Sequence, residues 1–366
     1  MRQSLGFSMT RPVPSALWGV WAIPPGNPIA FLPFGGIGDA MPPRPHPYAF
    51  PVYMPSDSEG LFGRQCPTCR RYWRDGGVGV VAVCPYCGDR FGSHFCITEG
   101  QMRYIQAYVA LFAEAIDSEV EGTYTLNMDE VAETVSRPNQ RPSYFFAEEA
   151  QQNKFRCKEC GGTNDILGTT GYCARCGTRN DVEWLERTRL ADIRQRLHSG
   201  QTAPSDCVRD TVSAFDSTVR QIVQQLIRHV PLIPARRSAL EVSYHSLDKV
   251  AVAITSAFGI DLLEGLSGSD QQFVVRMFHR RHVYEHNGGI VDEKYLADTG
   301  DNVRLGQALS EDVESAQRLT ELVARMVRNF VAGFHQLIPP REEPISWEQE
   351  KQKRMQEFRS RQGRSA

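Results

Sequence analysis

The chain has 366 residues, 41% of them hydrophobic and 23% charged, and a formal net charge of −2. That balance at this length supports two or three domains with sizeable cores, and it excludes wholesale disorder and a polycationic coat for nucleic acid. Any nucleic-acid contact has to come from a local patch. No run of about 18 apolar residues offers a membrane span. Most cysteines fall in pairs of metal-binding spacing, unlike a secreted disulfide framework, which predicts a reducing, cytoplasmic setting.

In chain order, residues 1–60 come first. Twelve of the 22 prolines lie between Pro12 and Pro55, interleaved with Trp18, Trp21, Phe31, Phe34, Tyr48, Phe50 and Tyr53. This excludes regular helix and predicts an extended arm laid over the folded body or a partner. Residues 98–150 are a mixed connector. Its one clear element is a helix with Thr98 and Gln101 as capping box and Met102, Ile105, Val109, Phe112 and Ile116 at helical spacing; residues 121–150 show no pattern.

The connector separates two cysteine-rich segments, 61–97 and 151–200. Cys66, Cys69, Cys84 and Cys87 form one set, Cys157, Cys160, Cys173 and Cys176 the other, each two Cys-x-x-Cys knuckles joined by a hairpin-length insert. A knuckle places two thiolates around one metal and the hairpin returns the second pair, so each set predicts a four-cysteine zinc ribbon, two zinc ions per chain. Gly88 and Gly177 follow the last cysteine of each set, and residues 78–83 read as a strand. Four thiolates leave no position for water, so these metals are expected to fold the modules and not to catalyse. Each ribbon has more basic than acidic side chains, and Tyr72, Trp73, Tyr86 and Phe91 are available for stacking, so the ribbons suit either scaffolding or recognition of a nucleic-acid or protein trigger. Cys96, with His94 nearby, is a spare ligand at most, and Cys207 reads as a packing residue at a helix start. A polar helix over 181–197, stopped at Ser199-Gly200, leads onward.

From 205 to 338 the pattern is purely helical, so the chain as a whole reads as a mainly α multidomain protein with small β modules ahead of a bundle. Val208, Val212, Phe215, Val219, Ile222 and Leu226 form one stripe, stopped by Pro231. Leu240, Tyr244, Leu247, Ala251, Ile254 and Phe258 form a second, with Ser238 and Glu241 as its capping box and Gly259 past its end. A third helix opens at Ser269 or Asp270 and runs to His286, ended by Asn287-Gly288-Gly289. A fourth follows Ser310. Four such helices predict a four- or five-helix bundle. The charged tail 339–366, with Trp347 its only large apolar anchor, is expected to fray.

The third helix carries the chemistry. His279, His282 and His286 fall on one face, too polar for a core, beside Arg276, Arg280 and Arg281. Arg281, His282 and His286 together resemble the Arg-x4-His motif of HEPN ribonucleases, all-helical domains in which the motif sits on a late helix. The resemblance implies a four- or five-helix HEPN-like bundle, a metal-independent endoribonuclease acting in toxin or antiviral defence systems, and a homodimer with a composite RNA cleft. Arg281 would hold the scissile phosphate and His286 move the proton, with His282 orienting it and Arg276, His279 and Arg280 contacting substrate. On an ideal helix Arg281 points about 140° from His286, which the two-protomer cleft of the family would relieve. Glu285, one turn after Arg281, could instead pair with it, and the three histidines could hold a metal. The alternative function is a non-catalytic zinc-ribbon regulator, binding nucleic acid or protein, whose helical domain only dimerises.

Overall fold

The computed structural model describes residues 4–8, 16–32, 43–117, 123–127 and 149–362. They form two compact units, Met1–Thr178 with Pro340–Ala366, and Arg179–Pro339. Among the described residues no helix is long and apolar enough to cross a membrane.

The first unit opens with β1 (Ser4–Ser8), which pairs in parallel with β9 (Thr123–Asn127). Within the proline-rich segment the extended arm is replaced by a sheet: β2 (Leu17–Ile23) lies between β3 (Asn27–Leu32) and β4 (Phe50–Pro55), all antiparallel. The aromatics drive this. Trp18, Val20, Val52 and Met54 are buried against Tyr104, Ile105, Tyr108 and Val109 of α1 (Glu99–Asp117). Prolines in β3 and β4 sit in edge strands, where a missing N–H is tolerated. At the β2–β3 turn Gly26 has φ +102°, and a Cβ there would come within 2.5 Å of Gln106 Cα. The capping box of α1 forms as expected: Thr98 N donates to Gln101 Oε1 (3.1 Å) and Gln101 N to Thr98 Oγ1 (3.2 Å). Most of 121–150 lies outside the described residues.

The two ribbons share one sheet instead of forming separate modules. β5 (Phe62–Gln65), β6 (Tyr72–Asp75), β10 (Asn153–Arg156) and β11 (Thr163–Ile166) are ordered β10-β11-β6-β5, so the second ribbon pairs onto the first. Arg74 and Asp165 close this seam at 2.7 Å, both buried, and Arg74 also reaches Asp57 and Glu59 at 2.8 Å. The expected strand over 78–83 is shorter, β7 (Val81–Val83), paired with β8 (Arg90–Gly92). The described part of the tail is helical over Glu342–Gln362, where fraying was expected. Pro344 and Glu348 are buried, Ile345 packs on the second cysteine set, and Arg341 donates to the carbonyls of Val81 and Arg175. Trp347, the expected apolar anchor, is exposed.

The second unit begins with α2 (Asp181–Trp184), a π turn (Leu185–Arg189) and α3 (Leu190–His198), ended by Gly200 at φ +68°. Its long helices are α4 (Pro204–His229), α6 (Leu247–Phe258), α7 (Gly268–His286) and α9 (Val313–Leu337), with short α5 (Pro234–Ser238) and α8 (Glu293–Thr299) between. Phe215, Phe278, Met326, Phe330 and Phe334 are among the buried residues. Cys207 is buried at the start of α4, as expected of a packing residue. The second stripe is shorter than its periodicity predicts. The chain is irregular from Leu240 to Ser246, so the Ser238–Glu241 box does not open this helix, although Gly259 ends it in the left-handed conformation. Ser267 caps α7 through Asp270 N, and Asp312 caps α9.

The tail helix, α10 (Glu342–Gln362), completes the described chain.

Candidate functional site

Each cysteine set converges. The ligand atoms of Cys66, Cys69, Cys84 and Cys87, and those of Cys157, Cys160, Cys173 and Cys176, lie within 4.8 Å of one another in their sets. Sulfur separations of 3.7 Å (Cys66–Cys87), 3.6 Å (Cys69–Cys84 and Cys157–Cys176) and 3.5 Å (Cys160–Cys173) are far too long for disulfides. They approach the roughly 3.8 Å edge of a tetrahedron with zinc–sulfur bonds of about 2.3 Å. The two tetrads could therefore hold two zinc ions.

One backbone rule builds all four knuckles. The residue after the second cysteine is left-handed in each: Arg70 at φ +61°, Gly88 at +75°, Gly161 at +66° and Gly177 at +85°. The N–H of that residue donates to the carbonyl of the first cysteine in each knuckle, at 2.8–3.0 Å. Three glycines meet this at no steric cost, whereas Arg70 does so with a Cβ. Cys96 is buried beside the first tetrad, but burial pushes its thiol up to about 12 and the tetrad is complete without it. Of the aromatics expected for stacking, Trp73 is fully buried and donates to Asp75 Oδ2 at 2.9 Å, and Tyr86 is covered by Arg71 at 3.6 Å.

The second unit holds a cleft of about 610 Å³, lined by residues including His279, Arg281, His282 and His286 of α7, His245, Asp248 and Lys249 from the chain entering α6, and Asp292, Lys294 and Asp298 around α8. His282 and His286 lie one helical turn apart with ring centroids 4.5 Å from each other. Burial, the neighbouring His286 and nearby cations lower the pKa of His282 from its usual value, which favours the neutral ring. Arg281 and His286, 140° apart on an ideal helix, nonetheless line the same cleft of one chain. The irregular segment before α6 and the start of α8 supply other lining residues of this cleft.

The basic side chains of α7 divide. Arg280, expected to contact substrate, is held outside the cleft by Asp301 (2.7 Å), Glu311 (2.9 Å) and the hydroxyl of Tyr295 (3.1 Å). Arg276, with the same expected role, lies 3.9 Å from Asp301 and beside the ring of Phe273. Both face the α8–α9 connection because its carboxylates sit there. Arg281 makes no ion pair among the described residues, with Glu285 or any other carboxylate, and its Nε is buried without a hydrogen-bond partner. The three histidines of α7 do not converge as a metal set; among the described residues only the cysteine tetrads do.

Sequence reading missed His245, Lys249 and Lys294. His245 lies next to Tyr244 in a stretch whose apolar spacing reads as continuous helix, and it is not part of that stripe. The available signal was the cluster Ser243, Ser246 and Asp248, side chains that favour a helix start over a helix interior.

No protein family, curated protein or solved structure matches this chain.

Proposed function

We propose that the helical unit is a metal-independent endoribonuclease of the HEPN type, a toxin-like or defence effector, with the zinc ribbons as scaffold or recognition module. One observation carries this reading: an arginine without a carboxylate partner among the described residues and three histidines of the same helix open into one cleft. RNA supplies its own nucleophile. The 2′-hydroxyl loses a proton and bonds to phosphorus while the bond to the 5′-oxygen breaks and that oxygen takes up a proton, leaving a 2′,3′-cyclic phosphate and a 5′-hydroxyl. Arg281 neutralises the phosphate, His286 moves a proton, and His282, kept neutral by its surroundings, orients it or touches substrate. The cleft carries Lys249, Arg281 and Lys294 against Asp248, Asp292 and Asp298, a balance that suits a chosen RNA element better than bulk RNA.

Arg281 and His286 line one cleft of a single chain, so in this reading the reaction is assigned to one protomer. The homodimer implied by the HEPN resemblance is then a separate property, checked by molecular mass in solution.

The test uses zinc-loaded protein, no added divalent metal, and both total cellular RNA and synthetic hairpins. Cyclic-phosphate ends are expected from wild type and are lost in Arg281→Ala and His286→Ala. Intact RNA with wild type, 5′-phosphate products, or equal cleavage by both variants would overturn the reading and favour a zinc-ribbon regulator.

A further inference from the structure

His245 reaches the cleft from outside the motif helix. Its Nε2 lies 3.8 Å from Asp216 Oδ2 on α4, within ion-pairing but beyond hydrogen-bond reach, and its Nδ1 is buried without a hydrogen-bond partner. Across from it on α7, Arg281 has the complementary deficiency, a buried Nε–H donor with nothing to accept it. Both residues line the same cleft, and the Arg281 cation is among the charges that lower the pKa of the imidazole. An orphaned buried donor and an orphaned buried acceptor each carry a desolvation penalty, which one shared bond would remove.

We propose that His245, oriented by Asp216, is a positioning residue for Arg281: its Nδ1 accepts the Arg281 Nε–H when an oxyanion of the phosphate class enters the cleft. Asp216 favours the tautomer with hydrogen on Nε2, which leaves the lone pair on Nδ1. Only Nε of Arg281 is sealed, so its terminal nitrogens stay open to the cleft, and fixing Nε aims that fork at a phosphate. The charges around the imidazole agree with a neutral acceptor. Burial and the cations Arg281 and Arg220 hold its pKa below the usual 6.5 against the opposing pull of Asp216 and Glu285. Lys249 and Asp248 follow it along the cleft.

The identity of the anion as an RNA phosphate rests on the ribonucleolytic reading, so the test reads binding of inorganic phosphate by calorimetry instead of cleavage. Arg281→Ala and His245→Ala should each weaken phosphate binding about tenfold to a hundredfold, the range for one charge-assisted hydrogen bond. The double variant should lose little more than either single variant, because both remove the same clamp. His245→Asn, whose amide oxygen can stand where Nδ1 stands, should recover most of the affinity, a result that separates a positioned acceptor from general structural support. Circular dichroism of each variant checks the fold.

Wild-type-like binding by His245→Ala, multiplicative losses in the double variant, or no recovery with His245→Asn would each overturn the positioning role. In those cases an Arg281→Ala defect still leaves Arg281 on the phosphate and the nuclease reading standing. If phosphate binds wild type and Arg281→Ala equally, both proposals fall.

Discussion

Arg280 and Arg281 are neighbours in sequence and opposites in surroundings: the first is clasped by Asp301 and Glu311 at 2.7 and 2.9 Å, the second meets no carboxylate among the described residues. About 100° of helix rotation separates them, and the loop carrying Asp301 covers only one of the two directions. Removing one partner from a mostly buried ion network leaves uncompensated charge, so Arg280→Ala should destabilise the helical unit by about 3 kcal/mol. Arg281→Ala, which breaks no ion pair and removes a buried donor without a partner, should leave stability unchanged or slightly raised while removing activity. Urea unfolding followed by far-ultraviolet circular dichroism ranks the two, and the opposite ranking would mean that Arg281 is the structural residue.

The zinc sites should behave as one folding unit. Val83 N donates to Ala174 O (2.8 Å) and Tyr172 N to Pro85 O (2.9 Å), joining the second knuckle of one ribbon to that of the other. Gly171 permits this approach, since a Cβ there would stand 2.7 Å from Pro85 O. Metal binding to such sites is folding free energy. Cys173→Ser is therefore expected to lower zinc content from about two per chain toward none, not to one. Elemental analysis after gel filtration decides it; a stable species with one zinc would show the ribbons to be independent.

Much of this was legible wherever local chemistry determines local structure. The knuckles, the Thr98–Gln101 box, the Gly259 stop and the cleft-facing histidines of α7 each follow from a spacing or a backbone requirement. What stayed hidden depends on partners distant in sequence. Nothing within residues 17–55 states that Trp18 will pack on Tyr104 and Tyr108 of α1, so proline content alone suggested an arm. Likewise, Arg276 and Arg280 look equivalent to Arg281 until Asp301 and Glu311 are placed. The second ribbon adds strands to the first because Arg74 finds Asp165, a pairing across 91 positions that neither segment signals by itself.

Acidification should loosen the helical unit through His335. Its Nε2 accepts the backbone N–H of Arg179 at 3.2 Å and its Nδ1 meets the Ile338 carbonyl at 3.2 Å, so the neutral ring with hydrogen on Nδ1 is satisfied on both sides. Burial lowers its pKa below the usual 6.5, and the Arg179 cation adds to this against the Ile338 hydrogen bond and Asp181. Below about 6.5 the unfolded chain takes up a proton that the folded chain refuses, so the contribution is intact above that pH and is lost as pH falls toward the folded value, by up to about 1.4 kcal/mol per pH unit. Urea midpoints of wild type should fall as pH drops below about 6.5, and His335→Gln should flatten that slope. An unchanged slope in the variant would assign the acid sensitivity to another group.

Lys249 and Lys294 should contribute to RNA affinity through charge alone. Both are exposed at the cleft, one just inside α6 and the other on α8, and neither has an ion pair among the described residues. An exposed ammonium that meets a phosphate displaces roughly one condensed counterion, and for single-stranded RNA each such contact adds about 0.7 to the slope of log affinity against log salt. Lys249→Ala and Lys294→Ala, measured by fluorescence anisotropy on a His286→Ala background so that RNA stays intact, should each reduce that slope by about this amount and weaken all sequences alike. Arg281→Ala, acting on the scissile phosphate, should also lower the slope once but should additionally abolish cleavage in the wild-type background. A lysine variant that changes affinity without changing the slope would mean that the RNA does not follow the cleft between α6 and α8, and that its path has to be sought elsewhere on the helical unit.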